Sequence, residues 1–249
     1  VGGMPQAVEM YLEQNFLQSV DEVKRGIIDL YEEDFVKIDA TGLAADIYDG
    51  IPSSLSGNAS RYILSSAEKD IRAEQVRALI PDILSSYTVN IAYHANNPGV
   101  GMSLEKDAGR YKLFTSDVGL FVTLAFRDKN YTENSIYTKL LSDKLDANLG
   151  YVYECAVAQM LVAKGNHLFY YTMNSDTSNH LYEIDFLISK GDKIAPIEVK
   201  SGQYRSHKSL DVFSTKFSSR ICDKYVVHTK DYKWENGIHY VPVYMVPFL

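Results

Sequence analysis

Apolar positions recur along this chain with two different periods, and the change of period divides it. In "SVDEVKRGIIDLYEEDFVKI" the apolar stripe is Val23, Ile27, Leu30 and Phe35, with Ser19 placed to cap and Glu22 three residues after it. That spacing predicts helix within residues 4–38. Gly42 and the run "YDGIPSSLSG" (48–57) carry turn residues and predict breaks. "AEQVRALIPDILSSY" (73–87) is again helical, bent or split at Pro81, because proline has no N–H for the helical ladder. The period then shortens to two. "TVNIAYHA" (88–95) and "RYKLFTSD" (110–117) read as strands around a loop containing Asn-Asn-Pro-Gly. "VGLFVTLAF" (118–126) is apolar throughout, and periodicity alone assigns it to neither helix nor strand. Two helices and a strand-loop-strand fit a winged-helix arrangement, and fit equally a helical packing module with one hairpin.

From about residue 148 the elements alternate. "GYVYECAVAQMLVAKG" (150–165) predicts a helix that stops at Gly165. "HLFYYTM" (167–173) predicts a strand, followed by a polar loop, "SDTSNH" (175–180). "LYEIDFLI" (181–188) and "KIAPIEVKS" (193–201) predict two more strands. "SLDVFSTKF" (209–217) predicts a helix capped by Ser206 or Ser209, "CDKYVVHT" (222–229) a strand, and "IHYVPVYMVPF" (238–248) a last strand-like run. This αβββαβ order predicts a mixed α/β sandwich of roughly 100 residues. The expected organisation is therefore a mostly helical region over 1–147 and a mixed-sheet α/β domain over 148–249.

Composition narrows the classes. With 46% hydrophobic and 23% charged residues in 249, the chain has the make-up of a soluble globular protein. No apolar run approaches the length of a membrane span, and the start, "VGGMPQAVEMYLEQ", has no secretory pattern. Cys155 and Cys222 have no partner Cys or His at zinc-like spacing, so both are expected as buried thiols in a reducing cytoplasm. The net charge of −7 does not suit a general nucleic-acid coat. Residues 181–230, however, carry nine basic against six acidic side chains, so the acidic excess lies elsewhere. The six histidines show no H-x-x-x-H spacing and no serine has a G-x-S-x-G surround, which removes the common zinc and serine-hydrolase patterns.

The informative chemistry is in "YEIDFLISKGDKIAPIEVKSG" (182–202). Gly191-Asp192 suits a two-residue type II′ turn. Such a turn pairs Asp185 with Glu198 and Glu183 with Lys200, and strict alternation puts all four on one face. Opposed carboxylates repel, so a proton, a neighbouring cation or a metal ion must offset them. One reading is a Glu183–Lys200 surface pair with nothing bound. The other is a site for Mg²⁺, or Mn²⁺ in its place, made by Asp185, Glu198 and the Val199 carbonyl, with Lys200 alongside to steady a water or an anionic transition state. Glu154 lies in an apolar helical stripe with Ala158 and Leu161 and is a third candidate for that ion. Arg205, His207 and Lys208 in "QYRSHKS" (203–209) are candidates for phosphate contacts, or for a solvated loop before a helix.

A helix Glu, a strand Asp and a Glu-x-Lys on the next strand resemble the PD-(D/E)XK nuclease superfamily. Carried over residue by residue, that resemblance implies a restriction-endonuclease-like core, with Glu154, Asp185 and Glu198 as metal ligands and Asp185, Glu198 and Lys200 as the catalytic set. The ordered segments "VGGMP" (1–5), "YKLFTSDVGLFVTL" (111–124), "GYVYECAVAQML" (150–161), "EIDFLI" (183–188), "PIEVKSG" (196–202) and "YRSHKSL" (204–210) are similar to the C-terminal half of a family of bacterial and archaeal AAA-type ATPases that carry a domain of unknown function. The resemblance implies an ATPase region as partner, with DNA as a candidate substrate and no membrane association. Cys155 stands where relatives often carry Asn. No G-x-x-x-x-G-K-[ST] is present, so no ATP is expected at a P-loop in these residues. Two functions remain from the sequence: Mg²⁺-dependent hydrolysis of nucleic-acid phosphodiesters, or a non-catalytic regulatory module that binds nucleic acid or protein for the ATPase.

Overall fold

The computed structural model describes residues 1–56, 69–128, 130–142, 150–175, 181–202 and 204–249, with backbone alone at 69–72 and 141. The expected 147/148 boundary, His180 and most of the polar loop 175–180 lie outside the described residues. The described residues form two compact units. The first takes those up to Asn90 and from Phe114 to Cys155; the second takes Ile91–Leu113 and those from Ala156 to Leu249.

The first unit is helical: α1 (Pro5–Gln14), α2 (Leu17–Ile38), α3 (Leu43–Asp49), α4 (Ile51–Ser56), α5 (Lys69–Ser85), α6 (Val118–Ala125), α7 (Asn134–Leu141) and the start of α8 (Gly150–Ala163). Pro5 opens α1, where its missing N–H would have had no intrahelical partner. Ser19 does not cap α2. The helix starts earlier, from Phe16, and the Gln18 N–H is met by Asn134 Oδ1 at 3.0 Å. The buried face of α2 is also turned from the expected stripe: Val20, Asp21, Lys24, Ile28 and Phe35 are inside, and Leu30 is exposed. Two charged residues can lie there because partners satisfy them. Lys24 Nζ donates to the Gly119 carbonyl and to Tyr137 Oη, while Asp21 accepts from Tyr137, Thr123, Arg25 and the Thr132 N–H. The ambiguous run 118–126 is helix α6, fixed at its start by Asp117, whose Oδ1 accepts the Leu120 N–H at 2.9 Å. Helix α5 continues through Pro81 and is not split. The short helices α3 and α4 meet at Gly50, inside the stretch expected to break.

The second unit is built on an eight-stranded mixed sheet. Its strands are β1 (Val89–Ala95), β2 (Lys106–Thr115), β3 (Leu168–Asn174), β4 (Leu181–Lys190), β5 (Lys193–Val199), β6 (Tyr225–His228), β7 (Lys233–Glu235) and β8 (Ile238–Pro242), in the order β2-β1-β3-β4-β5-β6-β8-β7. The winged-helix expectation is corrected here: β1 runs parallel to β3 and the β1/β2 strands extend the sheet. An alternating strand pattern shows that a strand is half-buried but not which sheet it joins. Helix α9 (Lys208–Lys216) packs on one face, where Leu210 and Phe213 join Phe169, Tyr171, Ile184, Leu187, Ile194 and Val226 in the core. Neither Ser206 nor Ser209 caps α9; its N-cap is His207. Helix α8 ends as expected at Gly165, whose N–H bonds the Val162 carbonyl while that of Asn166 bonds Leu161. The expected last strand stops at Pro242 and continues as a 3-10 turn over Val243–Phe248. Among the described residues no helix is long and apolar enough to cross a membrane.

Candidate functional site

The β4–β5 hairpin has the register expected of a Gly191-Asp192 turn, from Lys190↔Lys193 to Phe186↔Ile197, with Gly191 at φ 62°. On its other edge β4 departs from strict alternation. Leu187 pairs with Phe169, but Ile184 pairs with Tyr171, so Asp185 and Phe186 together face Tyr170. This bulge turns both Ile184 and Leu187 into the α9-side core. The expectation that one period of two holds throughout β4 is corrected by that extra residue.

Asp185 sits at the bulge. Its Oδ2 accepts the backbone N–H of Val199 at 2.7 Å, beyond the last cross-strand pair of the hairpin. Glu198, the residue before, is only 3% exposed. Its Oε1 lies 2.6 Å from Lys200 Nζ, and its buried Oε2 has no hydrogen-bond partner. Burying a carboxylate is costly unless it is paired. Lys200 supplies one such partner while its own side chain stays 30% exposed.

The expected Glu183–Lys200 pair does not form. Glu183 is bonded instead by Lys112 from β2, whose ammonium also stands 5.5 Å from the Tyr170 ring centre. Sequence reasoning missed Lys112, although a lysine between Tyr111 and Leu113 in an apolar strand was a signal that it had a buried partner.

Glu198 pairs in register with Val226 on β6, and Val226 with Tyr240 on β8. The segment before α9 covers the same end of these strands. His207 Nε2 is 2.9 Å from Tyr240 Oη and Nδ1 is 3.0 Å from Asp211 Oδ2. Lys208 is exposed over the Tyr182 ring, and hydrogen bonding to the Tyr182 hydroxyl raises its pKa. Arg205 is exposed beside Tyr204. Arg205 and Lys208 thus present positive charge, whereas His207 is held through Nε2 by Tyr240, and its Nδ1, though near Asp211, makes no hydrogen bond of ordinary geometry. Asp185, Glu198, Lys200, Arg205, His207 and Lys208 all belong to the second unit, and Glu154, half-buried on α8, to the first.

The donor set suits a hard divalent cation in kind: two carboxylates, one with a buried oxygen that no protein donor meets. It is incomplete in number. Among the described residues no three His, Cys, Asp or Glu stand together in a group able to hold a metal. Of the expected ligands, Asp185 and Glu198 are carried by the neighbouring strands β4 and β5 and Glu154 by α8.

Residues 149–246 match the family described as domain of unknown function DUF4143. Residues 1–131 match that described as domain of unknown function DUF8612. Comparisons with curated proteins and with solved structures gave no match. Because the second of these family matches takes in more than half of the 249 residues, the chain belongs to the DUF8612 family, with a DUF4143 match over its sheet-bearing C-terminal part.

Proposed function

We propose that the sheet unit is a PD-(D/E)XK-type module that hydrolyses nucleic-acid phosphodiesters with Mg²⁺, and that it serves an AAA-type ATPase. The ATPase link is supported by the DUF4143 match, a domain often associated with such ATPases. The observation that carries the hydrolytic reading is Glu198: a buried carboxylate with one oxygen on the Lys200 ammonium and the other without a partner. A bound Mg²⁺ would supply Lewis-acid polarisation of a phosphoryl oxygen. Asp185 and Glu198 would hold it. The Val199 N–H fixes one Asp185 oxygen, so that the other is oriented by backbone rather than by a mobile side chain. Lys200 balances the Glu198 charge and keeps N–H groups to spare for an attacking water or an anionic oxygen. Arg205 and Lys208 would meet the phosphate backbone.

The absence of a three-acid group among the described residues and the net charge of −7 favour a second reading, a binding module without catalysis. Two measurements separate them. Mn²⁺ or Mg²⁺ is expected to raise the melting temperature of the wild type and not of Asp185→Ala. Cleavage of single- or double-stranded DNA is expected from the wild type and not from Lys200→Ala. Metal stabilisation without cleavage leaves the binding module; neither effect removes the cation site.

A further inference from the structure

At the turn end of the β4–β5 hairpin lies a cleft that the hydrolytic reading does not use. It has a volume of about 420 Å³ and is bounded by the β1–β2 loop, the hairpin turn and the 3-10 turn Ser218–Arg220. Lys193, on its wall, is the first residue of β5, and Glu198 is the sixth, so the cleft is at the other end of that strand from the candidate cation site. Arg220 is braced beside it. Its Nη1 donates to the Asn97 side-chain oxygen and, at 2.7 Å, to the Pro98 carbonyl, and its guanidinium stands 5.6 Å from the Phe217 ring centre. Both acceptors are neutral. Among the described residues no acid is ion-paired with Arg220 or with Lys193, and Nε and Nη2 of Arg220 donate to nothing. They are the half of the guanidinium fork that matches two oxygens of a phosphate.

The loop adds backbone donors. Gly99 packs directly on the guanidinium: a Cβ there would stand 3.5 Å from Arg220 Nη1. Among the described residues the N–H groups of Gly99, Val100 and Gly101 donate no hydrogen bond, and Gly101 is left-handed at φ 80°. Successive N–H groups around such a residue form concave sites for anions. The cleft is not purely basic, because Glu105 and Asp192 also line it, and Leu104, 90% exposed, stands at its rim. A bare anion would leave the two carboxylates facing it. A ligand with hydroxyl or amino donors beside its phosphate, and an apolar face, meets all three kinds of wall.

We propose that this cleft binds a mononucleotide. Its phosphate sits on Arg220, Lys193 and the N–H groups of residues 99–101. Its sugar hydroxyls or base amino group donate to Asp192 and Glu105, and its base lies against Leu104. The site does not rest on the hydrolytic reading.

AMP is the probe, with adenosine and inorganic phosphate as separate arms, each titrated into the full chain at constant ionic strength. EDTA is present, so that no cation at Asp185 and Glu198 recruits phosphate. Backbone amide resonances are expected to move at Gly99, Val100, Gly101 and Lys193, and AMP is expected to bind about tenfold or more tightly than adenosine or phosphate. Lys193→Met removes a charge but no hydrogen bond or ion pair seen among the described residues, and should weaken AMP about tenfold with the melting temperature unchanged. Still amides at residues 99–101, AMP no tighter than adenosine or phosphate, or an unchanged affinity in Lys193→Met overturns the proposal. Should the variant fail to fold, the wild-type map decides: shifts confined to the cleft support the site, and shifts centred on Asp185 and Glu198 overturn it. DNA cleavage and metal stabilisation are read separately, and their failure removes the hydrolytic reading while leaving this site intact.

Discussion

The Asp185 carboxylate takes the backbone N–H of Val199 at 2.7 Å, across two strands whose regular pairing ends at Phe186 and Ile197. The side chain thus closes a gap left in the ladder. Asp185→Ala should leave the Val199 N–H unpaired beside a buried strand and cost about 1–3 kcal/mol. Asp185→Asn, which keeps an acceptor, should lose clearly less. Urea denaturation of both variants tests this, and equal losses would remove the hydrogen bond as the cause.

The Glu198–Lys200 pair should be strongly non-additive. Lys200→Met strands a buried carboxylate and is expected to cost on the order of 1–3 kcal/mol, below the value for a fully buried pair because Lys200 is partly exposed. Glu198→Gln with Lys200→Met should restore much of that loss, since the uncompensated charge is gone. A double-mutant cycle of unfolding free energies gives the coupling, and a coupling near zero would show that the pair contributes nothing.

In the helical unit, burial pushes the Lys24 ammonium down from 10.5 to about 8. Below pH 8 both folded and unfolded chains hold the proton, and the cost of burying the charge is felt in full. Between pH 8 and 10.5 the unfolded chain holds a proton that the folded chain lacks, so this group's contribution to stability rises with pH. Lys24→Met should therefore be more stable than the wild type near pH 7, by at most on the order of 3 kcal/mol. The difference should shrink by pH 10. Denaturation of both proteins at several pH values tests the sign.

Gly2 and Gly119 lie backbone to backbone. A Cβ on Gly119 would run into the Val1 carbonyl oxygen and come 2.7 Å from Gly2 Cα. The Gly3 N–H is held beside them by Asp117 Oδ2 at 2.6 Å. Gly119→Ala must therefore displace the Val1–Gly3 segment or shift α6, at a cost of about 1–3 kcal/mol. Thermal unfolding measures the loss, and a melting temperature equal to that of the wild type would mean that the segment moves aside freely.

The hairpin was legible because two local signals agreed: a Gly-Asp turn and apolar runs of matching length on both sides. The helices from Pro5 to Ile38 and at Gly150–Ala163 were legible from their period. The partner of Glu183 was not, because Lys112 lies 71 residues away and strand pairing at that distance leaves no local trace. Nor was the inward face of α2, since Asp21 and Lys24 read as surface residues until Tyr137, Thr132 and Gly119 are brought to them. Helix α6 escaped for the opposite reason: an all-apolar run has no polar side to reveal its period. Within the candidate site, Asp185, Glu198 and Lys200 could be found from their spacing.

The unmatched residue in β4 lets one strand keep step with two neighbours that would otherwise disagree. Toward Tyr171 it obeys one parity, toward Ile197 the other, and Asp185 stands where the count changes. Deleting Asp185 or Phe186 would thus do more than remove a side chain. It would restore plain alternation, leaving Ile184 and Leu187 two positions apart and both beneath α9, and would take away the offset that sets a carboxylate against the Val199 N–H.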